Sequence, residues 1–328
     1  MARRNPAPLR AAKEAASRAE KLKAAPLQFS ALRYFHEVAE CGSIRQAAER
    51  LYVSPSAVSR QIGKIEHEYG AQLFERTAQG VRLTQAGHIL STHLSATLRA
   101  LQRARSEIND LKGLQRGEIA VHCIEGLIGD LLPQVISDYH AKFPNITFQI
   151  VVASSQRIFE ALARGEADIG ITLFDPGRSD VTPLITHREP LVALMSPRHP
   201  LARRRSLKLA DMAEYEVVMP DATYAIRRLL DQAARAHAVT LNMLLTTNSI
   251  DLARSVARKG NAITVSPRFS AVRELALGEL VAVRLADPEF SHALTQVSAR
   301  QGRGLTAAAS EFVKTLQAAF ARLDPRHD

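Results

Sequence analysis

The chemistry in this sequence is carried first by a short run of hydroxyl and basic side chains. After Ser54 and Pro55, residues Ser56, Ser59, Arg60 and Gly63 recur on one helical face, continued by Lys64 and His67. Ser43 precedes them by one further helix, and Arg76 and Arg82 follow within a short turn-containing stretch. Hydroxyls and guanidinium groups suit phosphate oxygens and base edges, and no carboxylate interrupts the face before Glu66 and Glu68. A second set consists of polar residues placed directly after apolar, strand-like runs: Glu125, Ser154, Ser155, Thr223, Tyr224, Thr247, Asn248, Ser249 and Ser266. Several stand at helix starts, where free N–H groups attract anions or where a hydroxyl simply caps the helix.

Catalytic and metal chemistry lacks the residues it would need. His36-Glu37-Val38-Ala39-Glu40 starts like a zinc-protease motif but places Glu where the second histidine belongs. His88 and His93 are five apart and share no helix face, and neither GxxxxGK nor GxSxG occurs. Cys41 and Cys123 are too few for a disulfide scaffold, and a redox pair would have to span two modules. No catalytic residue, metal ligand or cofactor is expected. The run Arg203-Arg204-Arg205 reads as a solvated loop.

The elements that must position these residues follow from apolar spacing. Leu32, Phe35 and Ala39 share a face of a first helix that stops at Gly42. Ser43 caps a second, with Ile44, Ala47, Ala48 and Leu51 inward at i, i+3, i+4 and i+7. Ser54 caps a third, with Pro55 at its first position and Val58, Ile62, Ile65 and Tyr69 inward. Two short helices joined by a tight turn, with small alanines at the crossing, predict a helix-turn-helix that reads double-stranded DNA. Leu73 to Thr84 alternates around a Gly-containing turn and predicts a hairpin wing carrying Arg76 and Arg82. From Thr84 to about Lys112, Leu94, Leu98, Leu101, Ile108 and Leu111 form a seam that pairs with a second copy or packs back onto its own domain.

Beyond Glu118, strands and helices alternate in repeated βαβ order, predicting a mostly parallel α/β module. Two α/β lobes with crossovers near Thr186–Pro190 and Pro288–Ala293 resemble a periplasmic-binding-protein-like domain, and that resemblance implies that the polar residues after the strands fall at the cleft between lobes. Glu125 in that cleft disfavours a simple anion and points to a cationic or amphoteric ligand.

Charge agrees with this division. The 328 residues hold 43 Lys+Arg and 33 Asp+Glu. Residues 1–116 hold 19 and 10 of these, a net of +9, and residues 117–328 hold 24 and 23, a net of +1. Of the +9, residues 1–26 contribute +5 (seven basic, two acidic), which predicts a flexible basic arm. The expected domains are thus the arm 1–26, a winged helix-turn-helix 27–84, a linker and dimerisation helix 85–116 and an effector-binding module 117–328. No run of apolar residues is long enough for a membrane helix, and no apolar segment follows the basic start, so a cytoplasmic protein without membrane contact is expected.

The run Ser43-Ile-Arg-Gln-Ala-Ala-Glu-Arg-Leu-Tyr-Val-Ser-Pro-Ser-Ala-Val-Ser-Arg-Gln-Ile62 resembles the N-terminal signature of LysR-type transcriptional regulators. Leu73-Phe-Glu-Arg76 and Gly80-Val-Arg-Leu-Thr-Gln-Ala-Gly87 resemble it as well. Pro55 and Gln79 depart from the family pattern, which usually has a polar residue at the first position and a basic one at the second. The resemblance implies a periplasmic-binding-protein-like effector domain, a small-molecule co-inducer, a homodimer through the linker helix and a homotetramer that bends DNA. The alternatives are an architectural DNA binder whose C-terminal module only oligomerises, and an enzyme fused to a DNA anchor.

Overall fold

The computed structural model describes residues 29–78, 80–110, 117–174 and 177–323. The arm 1–26, Gln79, Leu111 and Gly113 lie outside the described residues. The chain divides into two units, residues 1–98 and 99–328.

In the first unit three helices form where their caps require. Helix α1 (Phe29–Cys41) ends at Gly42, whose φ of +61° lies in the left-handed region. Ser43 opens α2 (Ile44–Arg50), its hydroxyl accepting from Gln46 N at 3.4 Å. Ser54 opens α3 (Pro55–Tyr69), accepting from Ala57 N at 3.2 Å, with Pro55 where no amide is needed. Ala47 and Ala48 are fully buried, so the helices cross closely, and Phe35, Val38, Val58, Ile62, Ile65 and Leu73 complete the core. Burying each larger side chain contributes roughly 1.5–3 kcal/mol. Tyr69, expected to face inward, is 48% exposed instead, because α3 ends at Gly70 and its last turn runs past the core.

Strands β1 (Phe74–Thr77) and β2 (Gly80–Leu83) pair antiparallel as the wing. Val81 N donates to Gly42 O at 2.9 Å, and a Cβ on Gly80 would collide with that same carbonyl. The wing therefore docks on the end of α1 only with glycine there. Helix α4 (Gln85–Asp110) follows. Its seam is split: Leu94 is buried in the core of the first unit with Leu90 and Leu98 against it, whereas Leu101 and Ile108 are about half exposed. The first half thus packs on its own domain.

The second unit has two lobes. Lobe I contains β3 (Gly117–Cys123), α5 (Leu131–Lys142), β4 (Ile146–Val152), α6 (Ser155–Arg164), β5 (Ile169–Leu173) and β6 (Val181–Arg188). Lobe II contains β7 (Leu191–Met195), β8 (Ser206–Leu207), α7 (Leu209–Met212), β9 (Glu216–Pro220), α8 (Ala225–Ala236) and β10 (Asn242–Thr247). It continues with α9 (Ile250–Lys259), β11 (Thr264–Pro267), α10 (Val272–Ala276) and β12 (Val281–Leu285). The chain then returns to lobe I as β13 (Leu294–Arg300) and α11 (Ala307–Arg322). Lobe I orders its strands β4-β3-β5-β13-β6; lobe II orders β11-β7-β12-β8 beside a β10-β9 pair.

Among the described residues of this unit, four strand pairs are parallel and four antiparallel, so the sheets are mixed rather than mostly parallel. The returning strand β13 runs antiparallel to both its neighbours, β5 and β6. Glu189 N donates to Ala293 O at 2.9 Å, which ties the two crossovers together between the lobes. In lobe I, Tyr139 packs edge-on to Phe312 at 5.4 Å, and its hydroxyl donates to Ala308 O at 3.0 Å. This satisfies the one polar atom that the ring takes into the core. In lobe II, Leu191, Met195, Leu207, Val217, Leu230 and Ile263 form the centre of the core.

Candidate nucleic-acid interface and ligand cleft

The outer face of α3 follows from its inner one. With Val58, Ile62 and Ile65 buried, the intervening Ser56, Ser59, Arg60, Gly63 and Lys64 are all exposed. Arg60 and Lys64 are one turn apart and point the same way. Ser54 and Ser56 hydroxyls lie 3.0 Å from one another at the helix start, where free amides favour an anion. Arg76 is exposed on β1, whereas Arg82 on β2 is held at 2.6 Å by Glu75 directly across the wing. Ser43 is half-buried and turned back onto α2.

Two features of this unit escaped the sequence reading. Tyr52, in the turn between α2 and α3, has φ +55° and is 96% exposed. Glu66 Oε1 accepts from Leu73 N at 2.8 Å and Phe74 N at 3.3 Å, so the carboxylate nearest the reading face is consumed in anchoring the wing.

In the second unit, the loops after β3, β9 and β10 meet at the junction of the lobes. Glu125 stands in a 3₁₀ turn after β3, where Oε1 accepts from Ser249 Oγ at 3.0 Å and from Asp251 N at 3.2 Å. Ser249 caps α9, accepting from Leu252 N at 3.2 Å, while its own N–H donates to Thr247 Oγ1 at 3.1 Å. The Tyr224 hydroxyl lies 2.7 Å from Asn248 O and 3.3 Å from Glu125 Oε2, so its single proton is shared, with the carbonyl the nearer acceptor. Burial first and the Glu125 charge second push the Tyr224 phenol up to about 12, which keeps it a donor at any physiological pH. Glu125, Tyr224, Thr247, Asn248 and Ser249 thus form one network that joins the lobes. Glu125 does not face the cleft as a free charge. Its carboxylate sits at the N-terminus of α9, a placement worth about 0.3–1 kcal/mol from the helix dipole alone.

The remaining candidates make hydrogen bonds outside this network. Ser154 is the backbone cap of α6, and Ser155, inside the helix, exchanges hydrogen bonds with Leu173 O and N on β5 at 3.2 and 3.4 Å. Thr223 does not cap a helix; its hydroxyl donates to Asp221 Oδ1 at 2.5 Å. Ser266 is buried and bonded to Ser270 Oγ at 2.7 Å, and Ser270 packs against Gly126, next to Glu125.

A second cross-lobe cluster was not foreseen. Arg254, only 8% exposed, pairs with Asp251 at 3.1 Å and Glu274 at 3.5 Å beside Gly129 of lobe I. Asp130 Oδ2 accepts from Arg273 N at 3.1 Å. At the crossover, Glu189 is buried, contacts His187 at 3.2 Å and accepts from Phe269 N at 3.3 Å. Cys123 is fully buried, and burial pushes its thiol up to about 12, far from the range of a reactive thiolate. Among the described residues no cluster of metal-ligating side chains occurs, and no helix is long and apolar enough to cross a membrane.

Comparison with known proteins adds to this geometry. Residues 29–88 match the family model described as "Bacterial regulatory helix-turn-helix protein, lysR family", and residues 112–321 match "LysR substrate binding domain". The "Transcriptional activator protein LysR" of Escherichia coli (strain K12) is 29% identical over 252 residues, covering 76% of this chain and 80% of that protein. A "Probable RuBisCO transcriptional regulator" of Cyanidioschyzon merolae is 26% identical over 280 residues, covering 83% and 92%. Full-length CbnR, solved in complex with its target DNA, superposes with a TM-score of 0.67 at 21% identity, covering 89% of this chain and 99% of that one. The effector binding domain of QuiR, solved with shikimate, superposes with a TM-score of 0.53 at 17% identity, covering 63% and 98%.

Proposed function

This chain belongs to the LysR family of transcriptional regulators and carries that family's effector-binding domain, and from this premise we propose that it reads a specific duplex sequence under the control of a small molecule bound between its two lobes. Ser56, Ser59, Arg60 and Lys64 on α3 contact base edges and phosphates in the major groove, with Ser54 at the helix start. Arg76 and Arg82 on the wing contact phosphates. The observation that carries this half is an α3 face of exposed hydroxyl and cationic side chains backed by a fully apolar core. That CbnR is solved on its target DNA supports it.

Pairing of two copies through α4 leaves a use for Leu101 and Ile108, which are exposed on the chain by itself. A two-fold dimer then sets two reading helices in successive major grooves, and the operator is a dyad with half-sites about one helical turn apart.

For the second half, the effector enters where Glu125, Tyr224 and Ser249 meet and acts through its different affinity for the clasped and unclasped lobes. QuiR holding shikimate in a domain of the same fold supports a small-molecule ligand for this domain, and a module matched as a substrate binding domain favours this over one that only oligomerises. The protein acts where the DNA is, in the cytoplasm. A thermal-shift screen of the full chain against small metabolites tests the effector half. At least one compound raises the melting temperature, and that rise is abolished in Tyr224→Phe/Ser249→Ala; a compound that stabilises both chains equally binds elsewhere.

A further inference from the structure

Lobe II carries a concentration of cations that neither the reading helix nor the cleft uses. Between Ser196 and Ala210 there are five basic residues and no acidic one, in a domain that holds 24 basic and 23 acidic residues in all, so the rest of it is net acidic, 19 against 23. Three successive backbone turns compact this loop: His199 N to Ser196 O at 2.9 Å, Ala202 N to His199 O at 2.9 Å and Arg204 N to Leu201 O at 3.0 Å. His199 and Leu201 within these turns, and Leu207 and Leu209 after them, are buried, whereas Arg198, Arg203, Arg204, Arg205 and Lys208 are exposed. Pairing of β8 with β12 sets Arg284 opposite Ser206 and Leu285 opposite Leu207. Because Leu207 and Leu285 point into the core, Arg284 points out beside the loop.

None of these six cations has an ion-pair partner among the described residues, whereas Arg178, Arg227 and Arg258 of the same domain are paired with Asp180, Asp231 and Glu279. Arg198 also borders an open groove of about 970 Å³ that Arg258, Lys259, Asn261 and Glu279 line as well, with Glu279 paired to Arg258.

We propose that this basic rim of lobe II is a second, sequence-independent contact for the phosphate backbone of duplex DNA. The segment has no aromatic side chain on which an unpaired base could stack, and its leucines are buried, so nothing is offered to a single strand or to lipid acyl chains. What it offers is closely set guanidinium groups, which suit regularly spaced phosphates. The inference rests on the reading above that the chain binds duplex DNA.

The test is the salt dependence of full-chain affinity for random-sequence duplex, measured by fluorescence anisotropy from 50 to 400 mM KCl. The chain is compared with Arg203→Gln/Arg204→Gln/Arg205→Gln and, independently, with Arg198→Gln/Arg284→Gln. Each lost phosphate contact makes the slope of log affinity against log salt shallower by about 0.9. The triple variant is therefore expected to lose about 2–3 from the slope and the double variant about 1–2, with melting temperatures unchanged. Slopes equal to that of the unmodified chain overturn the inference while leaving the reading helix untouched. Loss of binding to anionic phosphatidylglycerol vesicles, with the DNA slope intact, assigns the rim to a membrane surface and overturns it equally. An unmodified chain without affinity for any duplex at 50 mM KCl overturns the helix-turn-helix reading as well.

Discussion

Glu125→Ala removes the carboxylate that joins the lobes, and the size of its effect can be worked from the contacts. Oε1 accepts two hydrogen bonds, from Ser249 Oγ at 3.0 Å and Asp251 N at 3.2 Å, and Oε2 takes a share of the Tyr224 proton. Hydrogen bonds to a charged group contribute roughly 1.5–3 kcal/mol each. Glu125 is only half-buried, so water replaces part of what is lost, and about 2–3 kcal/mol is the expected cost. For a domain of this size that corresponds to a fall of roughly 4–12 °C in its transition. Differential scanning calorimetry of the ligand-free chain reads this directly. Glu125→Gln keeps one acceptor oxygen but removes the charge at the start of α9, and it should fall between the two. Combining Glu125→Ala with Ser249→Ala should cost about 0.5–3 kcal/mol less than the sum of the single changes. An unshifted transition in Glu125→Ala, or strict additivity in the double variant, would refute the clasp.

Two further predictions concern stability. Burial holds the His199 imidazole below its ordinary value, while its Nδ1 accepts from Leu201 N at 3.1 Å. The unfolded chain takes up a proton below about pH 6.5 and the folded chain resists it, so the contribution of the neutral ring is complete above that pH and is lost as pH falls towards the folded value. Urea midpoints should therefore drop between pH 7.5 and 5.5, and by less in His199→Gln; an equal drop in both chains contradicts this, since His122 is shifted the same way and is common to both. Gly87 in the first turn of α4 packs so closely on the Leu73 carbonyl and the Leu83 side chain that a Cβ has no room. Gly87→Ala should destabilise the DNA-binding unit by about 1–3 kcal/mol in urea denaturation, and an unchanged midpoint would show that α4 shifts freely against the wing.

The helix-turn-helix was legible because its determinants are local. Apolar residues at i, i+3, i+4 and i+7 define the buried faces of α2 and α3, and Ser43, Ser54, Gly42 and Gly70 mark the ends within a residue or two. The strand order of the effector domain was harder. Strand β6 has Pro183 and an exposed, polar-rich pattern, so period alone did not separate it from a loop. The sequence reading placed Glu125, Tyr224 and Ser249 near one another because all follow strands that end at one edge. That Glu125 donates its charge to α9 rather than to the cleft depends on partners 99–126 residues away, and no local spacing encodes that. The same holds for Arg254 with Glu274 and for Glu189 with the Phe269 amide. The seam of α4 is ambiguous for a different reason. Leu94 and Leu101 have the same heptad spacing, yet one is buried by its own domain and the other is exposed, and the pattern is identical for either fate.

The central claim is that the outer face of α3 reads DNA sequence. Selection of bound sequences from a random duplex library by the full chain, run in parallel with Arg60→Ala, tests it most directly. The chain should enrich a dyad with half-sites about one helical turn apart. Arg60→Ala, whose side chain is exposed and holds up nothing in the core, should keep its fold and lose preference for one or two base pairs in each half-site. At those positions the cost is about 1–3 kcal/mol. An identical enriched sequence from both chains, or no enrichment by the unmodified chain, would contradict the account.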